Sequence, residues 1–286
     1  MKHKKYNNKN NKKSKKPRGS KIKKFMLTLF VFSAAITAFF IFANQYFFRI
    51  ENIITGENDR YSGEEILAAS GIKPGGELYG INIKQVKQNI KEILTYTESV
   101  AITRIPPSTV KINIETAGGL FGIMTAGDYY IASDNLRIVE KIKIESDNFG
   151  FTPPEDIITL EIDTDDIKKC YLGEKLEFTD GDIQDFLTEF AGFLAENKTG
   201  GEYSEQMSAI NGVNIKDKFG VTVNYGGRFL IRLGIFENIP PKIINSFEII
   251  KRLSGGEEGI IDMTDKDGKT ASFIHRDNIE ALYKSG

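Results

Sequence analysis

The chain has 286 residues, 38 Lys and Arg against 39 Asp and Glu, one cysteine and no tryptophan. Such a length accommodates two ordinary domains with cores of their own, and a lone cysteine, Cys170, excludes an intrachain disulfide. The net charge of −1 hides a division: Met1 to Lys24 holds twelve bases and no acid, whereas Glu51 to Gly286 holds 25 bases and 39 acids, a balance that argues against nucleic acid as a partner.

The tail, residues 1–24, is poor in apolar residues and is expected to lack fixed structure. It reads as a topogenic charge block, with contact to anionic lipid or a cytoplasmic partner as the alternative. Phe25 to Phe48 then carries no charge, and its apolar core Phe25 to Ala43 would span roughly 28 Å as a helix, close to a bilayer's hydrocarbon thickness. A transmembrane helix is predicted over 25–45. The basic tail belongs on the cytoplasmic side, which puts the acidic remainder outside as a single-pass type II membrane protein. A cleavable signal peptide is the alternative, but its apolar core is shorter and ends in a small-residue cleavage site that is missing here.

Beyond the span, Phe48 to Ile53 alternates as a half-buried strand does. Ser62-Gly63-Glu64-Glu65 has capping-box spacing and predicts a short helix that ends at Gly71. Pro74-Gly75-Gly76 marks a loop, after which Asn82 caps a second helix with Ile83, Val86, Ile90, Ile93 and Leu94 on its apolar face. A hairpin follows: Glu98 to Ile105, a turn at Pro106-Pro107-Ser108, then Thr109 to Glu115 with Val110, Ile112 and Ile114 facing one way. These elements make a small α+β unit of order β-α-α-β-β.

Further on, Tyr129 to Val139 reads as two short strands around an Asx-type turn at Asp134-Asn135, residues that tolerate left-handed backbone. Asp182 to Glu196 is the clearest helix, with Ile183, Phe186, Leu187, Phe190, Phe193 and Leu194 in one stripe. Val221 to Tyr225 and Arg228 to Leu233 form a hairpin about Gly226-Gly227. Pro240-Pro241 opens a helix that Gly255-Gly256 should close, and Gly259 to Met263 pairs with Lys269 to Ile274. Thr152-Pro153-Pro154 and Asp163-Thr164-Asp165-Asp166 are read as loops.

Convergent chemistry is hard to assemble. The only histidines, His3 and His275, lie at opposite ends of the chain, which gives a His-based triad little support. Asp265-Lys266-Asp267-Gly268 has the look of a calcium loop, yet Met263 and Ile274 would stand where oxygen ligands are required. Asp163, Asp165 and Asp166 read as a solvated acidic loop or a weak cation site. No catalytic residue, cofactor or metal is therefore assigned.

The run Ile53-Ile54-Thr55-Gly56, Gly76-Glu77-Leu78-Tyr79 and Val100 to Glu115 around Arg104 resembles a POTRA domain, and more narrowly the membrane-proximal POTRA domain of the FtsQ/DivIB family. The later hairpins and helices, ending in Ile260-Ile261-Asp262-Met263 and a closing strand, are similar to that family's mostly antiparallel β domain. The resemblance implies a layout of basic tail 1–24, transmembrane helix 25–45, POTRA domain 46–117, β domain 118–275 and short tail 276–286. It also implies a non-enzymatic scaffold at the division septum whose partners are FtsB/DivIC-like and FtsL-like bitopic proteins and, through them, the septal peptidoglycan synthase. Thr270, Ala271, Ser272, Phe273 and Ile274 match the terminal strand that serves such a partner, with Phe273 either an apolar anchor or a core residue. A POTRA-bearing transport or assembly protein, or a tethered cell-wall enzyme, are the competing readings. The family often continues past the POTRA hairpin with a basic residue and a proline; here Thr116-Ala117-Gly118-Gly119 stands instead, and a flexible joint is expected.

Overall fold

A computed structural model of the chain describes residues 19–144, 150–198, 201–265 and 268–278. Most of the basic tail with His3, Lys266 and Asp267 of the calcium-like run, and the end of the short tail lie outside them. By contacts the described chain divides into two compact units. One comprises Met1–Ile53, Lys73–Ile81 and Thr103–Val110, the other Ile54–Ile72, Asn82–Ile102 and Lys111–Gly286.

Helix α1, Gly19–Tyr46, contains the stretch Lys23–Ala43 of mean hydropathy 2.4, long and apolar enough to cross a membrane once. Strand β1, Asn52–Thr55, starts later than the alternation suggested, because Ile50 spends its backbone on the loop at Gly75 and Gly76. Helix α2, Gly63–Ser70, has the full capping box: Ser62 Oγ accepts from Glu65 N while Glu65 Oε2 accepts from Ser62 N at 2.8 Å. It ends where Gly71 turns left-handed at φ 67°. Helix α3, Ile83–Ile93, is capped by Asn82 and buries Val86 and Ile90. Leu94 leaves the helix to take a buried position, which leaves Ile93 exposed and narrows the expected stripe.

Strands β2, Thr97–Ile105, and β3, Thr109–Thr116, form the predicted hairpin about a cis Pro106-Pro107 bond, and Val110, Ile112 and Ile114 are all buried. The small sheet runs β1-β3-β2. The segment expected to be a loose joint is only Ala117 and Gly118, and Ala117 N donates to Tyr96 O at 2.9 Å.

A nine-stranded sheet dominates the second unit. Its strands are β4 Gly119–Thr125, β5 Asp128–Ser133, β6 Ile138–Lys143, β7 Ile158–Glu161, β10 Ile210–Asn214, β11 Val221–Tyr225, β12 Phe229–Gly234, β13 Gly259–Asp262 and β14 Ser272–His275. A separate small pair is β8 Ile167–Lys169 with β9 Glu177–Phe178. The large sheet runs β14-β13-β12-β11-β10-β7-β4-β5-β6. Three of its pairings, β4 with β7, β7 with β10 and β12 with β13, are parallel, and the rest antiparallel. The Asx turn is present, with Asn135 Oδ1 accepting from Arg137 N, but the left-handed residue is the buried Leu136 at φ 62°.

One face of the sheet carries the main core. Helix α4, Gly181–Lys198, buries all six residues of its predicted stripe there, and α6, Ile239–Ile250, adds Ile239, Ile243 and Phe247. Helix α5, Ser204–Ser208, contributes Met207. Helix α6 stops five residues before Gly255, since Lys251 to Leu253 close it with tight backbone turns of their own. The other face has a smaller cluster of Tyr96, Tyr129, Ile131, Val139 and Ile157. There the Tyr129 ring lies across Gly122, where an added Cβ would stand 1.7 Å from the phenol oxygen, so only glycine fits beneath it.

A clamp ties α3 and β2 to the turn before β6. The Arg137 guanidinium donates to Gly173 O, Thr97 O and Lys91 O, each at 2.8 Å. Beside it, Thr95 Oγ1 donates to Val139 O and the Tyr96 hydroxyl to Glu140. Arg60 lies 3.2 Å from the Tyr96 ring centre and 3.5 Å from Glu140.

Candidate functional site

The closing strand of the large sheet, β14, is supported from one side. Strand β12 lays down β13 in parallel, and β13 pairs β14 antiparallel with Ile260 opposite Ile274, Ile261 opposite Phe273 and Asp262 opposite Ser272. At the far end Arg276 N donates to Glu258 O at 3.0 Å, and its guanidinium meets Glu258 Oε2 at 2.6 Å. The connection between β13 and β14 is held from α6: Asn245 Nδ2 donates to Gly268 O at 2.8 Å. Gly268, left-handed at φ 62°, leaves 2.9 Å between a hypothetical Cβ and Lys242 Cγ, so a larger residue would collide with the helix.

Lys242 itself is fully buried and donates from Nζ to Leu233 O at 2.7 Å. Burial pulls its pKa below the usual lysine range, and Glu237 and Asp265 partly restore it. It ties α6 to the end of β12, which supports the strand that β14 rests on.

In an antiparallel pair, residues that exchange hydrogen bonds alternate with residues whose backbone groups turn outward. The bond from Arg276 to Glu258, with the register above, makes Ile274 and Ser272 the residues bonded to β13. The N–H and C=O of Phe273 and His275 therefore point to the open margin. Among the described residues β14 has β13 as its only strand neighbour. That margin is able to accept an extended segment from another chain, which is recognition by backbone and not bond-breaking chemistry.

Of the five residues singled out in the sequence, Ser272, Phe273 and Ile274 lie on β14, whereas Thr270 and Ala271 lie before it in the connection and are exposed. The strand starts late because Thr270 N turns toward Asp265 Oδ2 instead of toward β13. Phe273 is half-buried against the main core, its ring edge-on to Phe229 with centroids 6.2 Å apart, a core contact that leaves part of the side chain exposed. His275, outside the five, is partly exposed. It completes the strand, with its ring 6.2 Å from that of Phe273. The period-two spacing of Phe273 and His275 was the available signal.

The acidic run forms a short 3-10 turn, Thr164–Asp166, and not an open loop, with Thr179 donating to Asp166 O. No group of three or more His, Cys, Asp or Glu among the described residues is arranged to hold a metal. On the sheet face away from the main core lies a shallow cavity of about 890 Å³ bounded in part by Thr159, Asn224, Leu230, Ile260 and Arg276, with no residue of β14 in its lining.

A family model described as POTRA domain, FtsQ-type, matches residues 48–115. The cell division protein DivIB of Clostridium botulinum strain Hall is 27% identical over 258 residues, which cover 90% of this chain and 93% of that protein. DivIB of Clostridium tetani is 24% identical over 232 residues, 80% of each chain. The major extracytoplasmic domain of DivIB from Geobacillus stearothermophilus aligns at 14% identity over 49% of this chain and 99% of that one, with a TM-score of 0.27, too loose to bear on the argument. Residues 48–115 thus match an FtsQ-type POTRA domain, in a chain similar to the DivIB cell division proteins over nine tenths of its length.

Proposed function

We propose that this chain is a membrane-anchored scaffold of the cell division machinery, itself without catalytic activity. It binds FtsB/DivIC-like and FtsL-like bitopic division proteins outside the membrane and through them influences septal peptidoglycan synthesis. Similarity to DivIB supports the role in division. The basic tail and single apolar helix support a type II anchor at the division septum, followed by a POTRA domain over 46–117 and a β domain over 118–275. The observation that carries the partner site is the open margin of β14, with the backbone of Phe273 and His275 turned outward. Thr270, Ala271, Ser272, Phe273 and Ile274 form the surface around it. An incoming strand would extend the sheet, and Phe273 would offer its exposed half as an anchor.

Proline substitution tests this strand by strand position. His275→Pro removes an outward donor and no bond to β13, so it is expected to weaken capture of a soluble FtsB/DivIC-like fragment at least tenfold at unchanged thermal stability. Ile274→Pro removes a bond to β13 and lowers both. Undiminished capture by His275→Pro would sink the assignment.

A further inference from the structure

The end of α1 and two distant parts of the POTRA domain are joined by backbone bonds, and together they expose aromatic side chains where water alone gives no reason for them. Phe47 N and Phe48 N both donate to Ala43 O, so the chain folds back at once from the helix end. Phe48 O accepts from Leu78 N at 2.8 Å, and Ile50 pairs with Gly75 and Gly76. Arg104 completes the arrangement from the hairpin, donating from Nε to Leu78 O at 2.9 Å and from Nη2 to Ile81 O at 2.8 Å. The loop Leu78 to Ile81 is thereby held at both ends, with Tyr79 at its crest.

Tyr79 sits edge-on to Phe48 with ring centroids 5.1 Å apart, yet it is 51% exposed, and Phe47 and Tyr46 are 68% and 63% exposed. These residues fall in the same compact unit as α1. Tyr46 is three residues past Ala43, a rise of roughly 4.5 Å in a helix. That lies within the interfacial layer of about 5–8 Å on each side of the hydrocarbon. Tyrosine suits that layer, where its ring meets lipid and its hydroxyl meets water, and the ring of Phe47 beside it adds apolar contact.

We infer that Tyr46, Phe47 and the Tyr79 loop form a lipid-binding apron, by which the POTRA domain rests on the outer surface of the bilayer instead of hanging from a free linker. The lipid interface is the occupant because the apron is continuous with the membrane-crossing helix. Arg104 is then a positioning residue, since it shapes the loop without reaching lipid. The inference rests on α1 spanning the membrane, and the experiment reads the two separately.

The chain has no tryptophan, so single substitutions report their own depth without background. The full chain is reconstituted in phosphatidylcholine and phosphatidylglycerol vesicles containing lipids brominated near the headgroup or deep in the acyl chain. Phe32→Trp, inside the span, is expected to be quenched by deep bromines. Tyr79→Trp and Phe47→Trp are expected to lose at least half their emission to shallow bromines, with blue-shifted maxima. Phe32→Trp quenched with Tyr79→Trp untouched would overturn the apron and leave the anchor standing. Phe32→Trp untouched would overturn both. A companion Arg104→Gln in the Tyr79→Trp background should cut the shallow quenching without altering that at position 32, and equal quenching with and without Arg104 would remove it from the positioning role.

Discussion

The two outer strands of the large sheet solve the same problem in opposite ways. Strand β6 has the outer groups at its start occupied: Ile138 N donates to Glu174 O, Ile138 O accepts from Gly173 N, and Val139 O accepts from Thr95. Lys141 and Lys143 add charge along it, Lys141 pairing with Asp128 at 2.7 Å. Strand β14 is four residues long, carries Phe273 and Ile274, and has strand β13 on one side only among the described residues. The protected margin is where the sheet is tied to α3 and β2. Among the described residues the other margin has no comparable cover.

The clamp on the β6 side should show the largest effect. Arg137→Ala leaves three carbonyls without their charged donor and is expected to lower stability of the portion outside the membrane by about 2–4 kcal/mol in urea unfolding. Amide exchange should rise around β6 and Gly173 while β13 and β14 keep their protection. Equal loosening of both margins would erase the contrast between them.

Phe273→Ala comes next. The ring is half-buried, so truncation should cost about 1–2 kcal/mol of stability. Capture of the partner fragment should fall further than that loss alone explains, and a fall of the same size would reduce Phe273 to a core residue. Stability and affinity measured on one preparation decide it.

The smallest effect is chemical. Cys170 stands beside the segment that covers β6, and burial pushes its thiol up to about 11. At pH 8 the thiolate is then roughly one part in a thousand, so iodoacetamide labelling should run roughly a hundredfold slower than on a free cysteine. Labelling accelerates as pH rises toward 11. Over the same range stability falls, because the unfolded thiol ionises first, above about 8.5. Arg137→Ala should speed labelling at pH 8 by loosening the cover, whereas His275→Pro should leave it unchanged.

Much of this organisation was legible because it is local. Ser62 with Glu65, Gly71, Asn82 and the Gly226-Gly227 turn each act within a few residues, and all stand where the pattern put them. Strands β4, β7 and β10 were not legible. Gly119, Gly122 and Gly212 weaken the strand signature, β7 has four residues, and the parallel pairings among the three strands join residues far apart in the chain. The start of β14 escaped for a similar reason: Thr270 and Ala271 continue its composition, but Asp265 draws Thr270 N away. Which strand is outermost is a property of the assembled sheet. By sequence the strand ends at Ile274 and leaves His275 out, and only the bond from Arg276 to Glu258 gives the direction of the backbone there.

Strands β12 and β13 run parallel, so the polypeptide has to pass through α6 before it is able to lay down β13 and then β14. The outer rim consequently depends on that crossover helix, which Lys242 holds to Leu233 and Asn245 to Gly268. Loosening α6 is thus expected to disturb the outermost strand with no change in that strand's own residues.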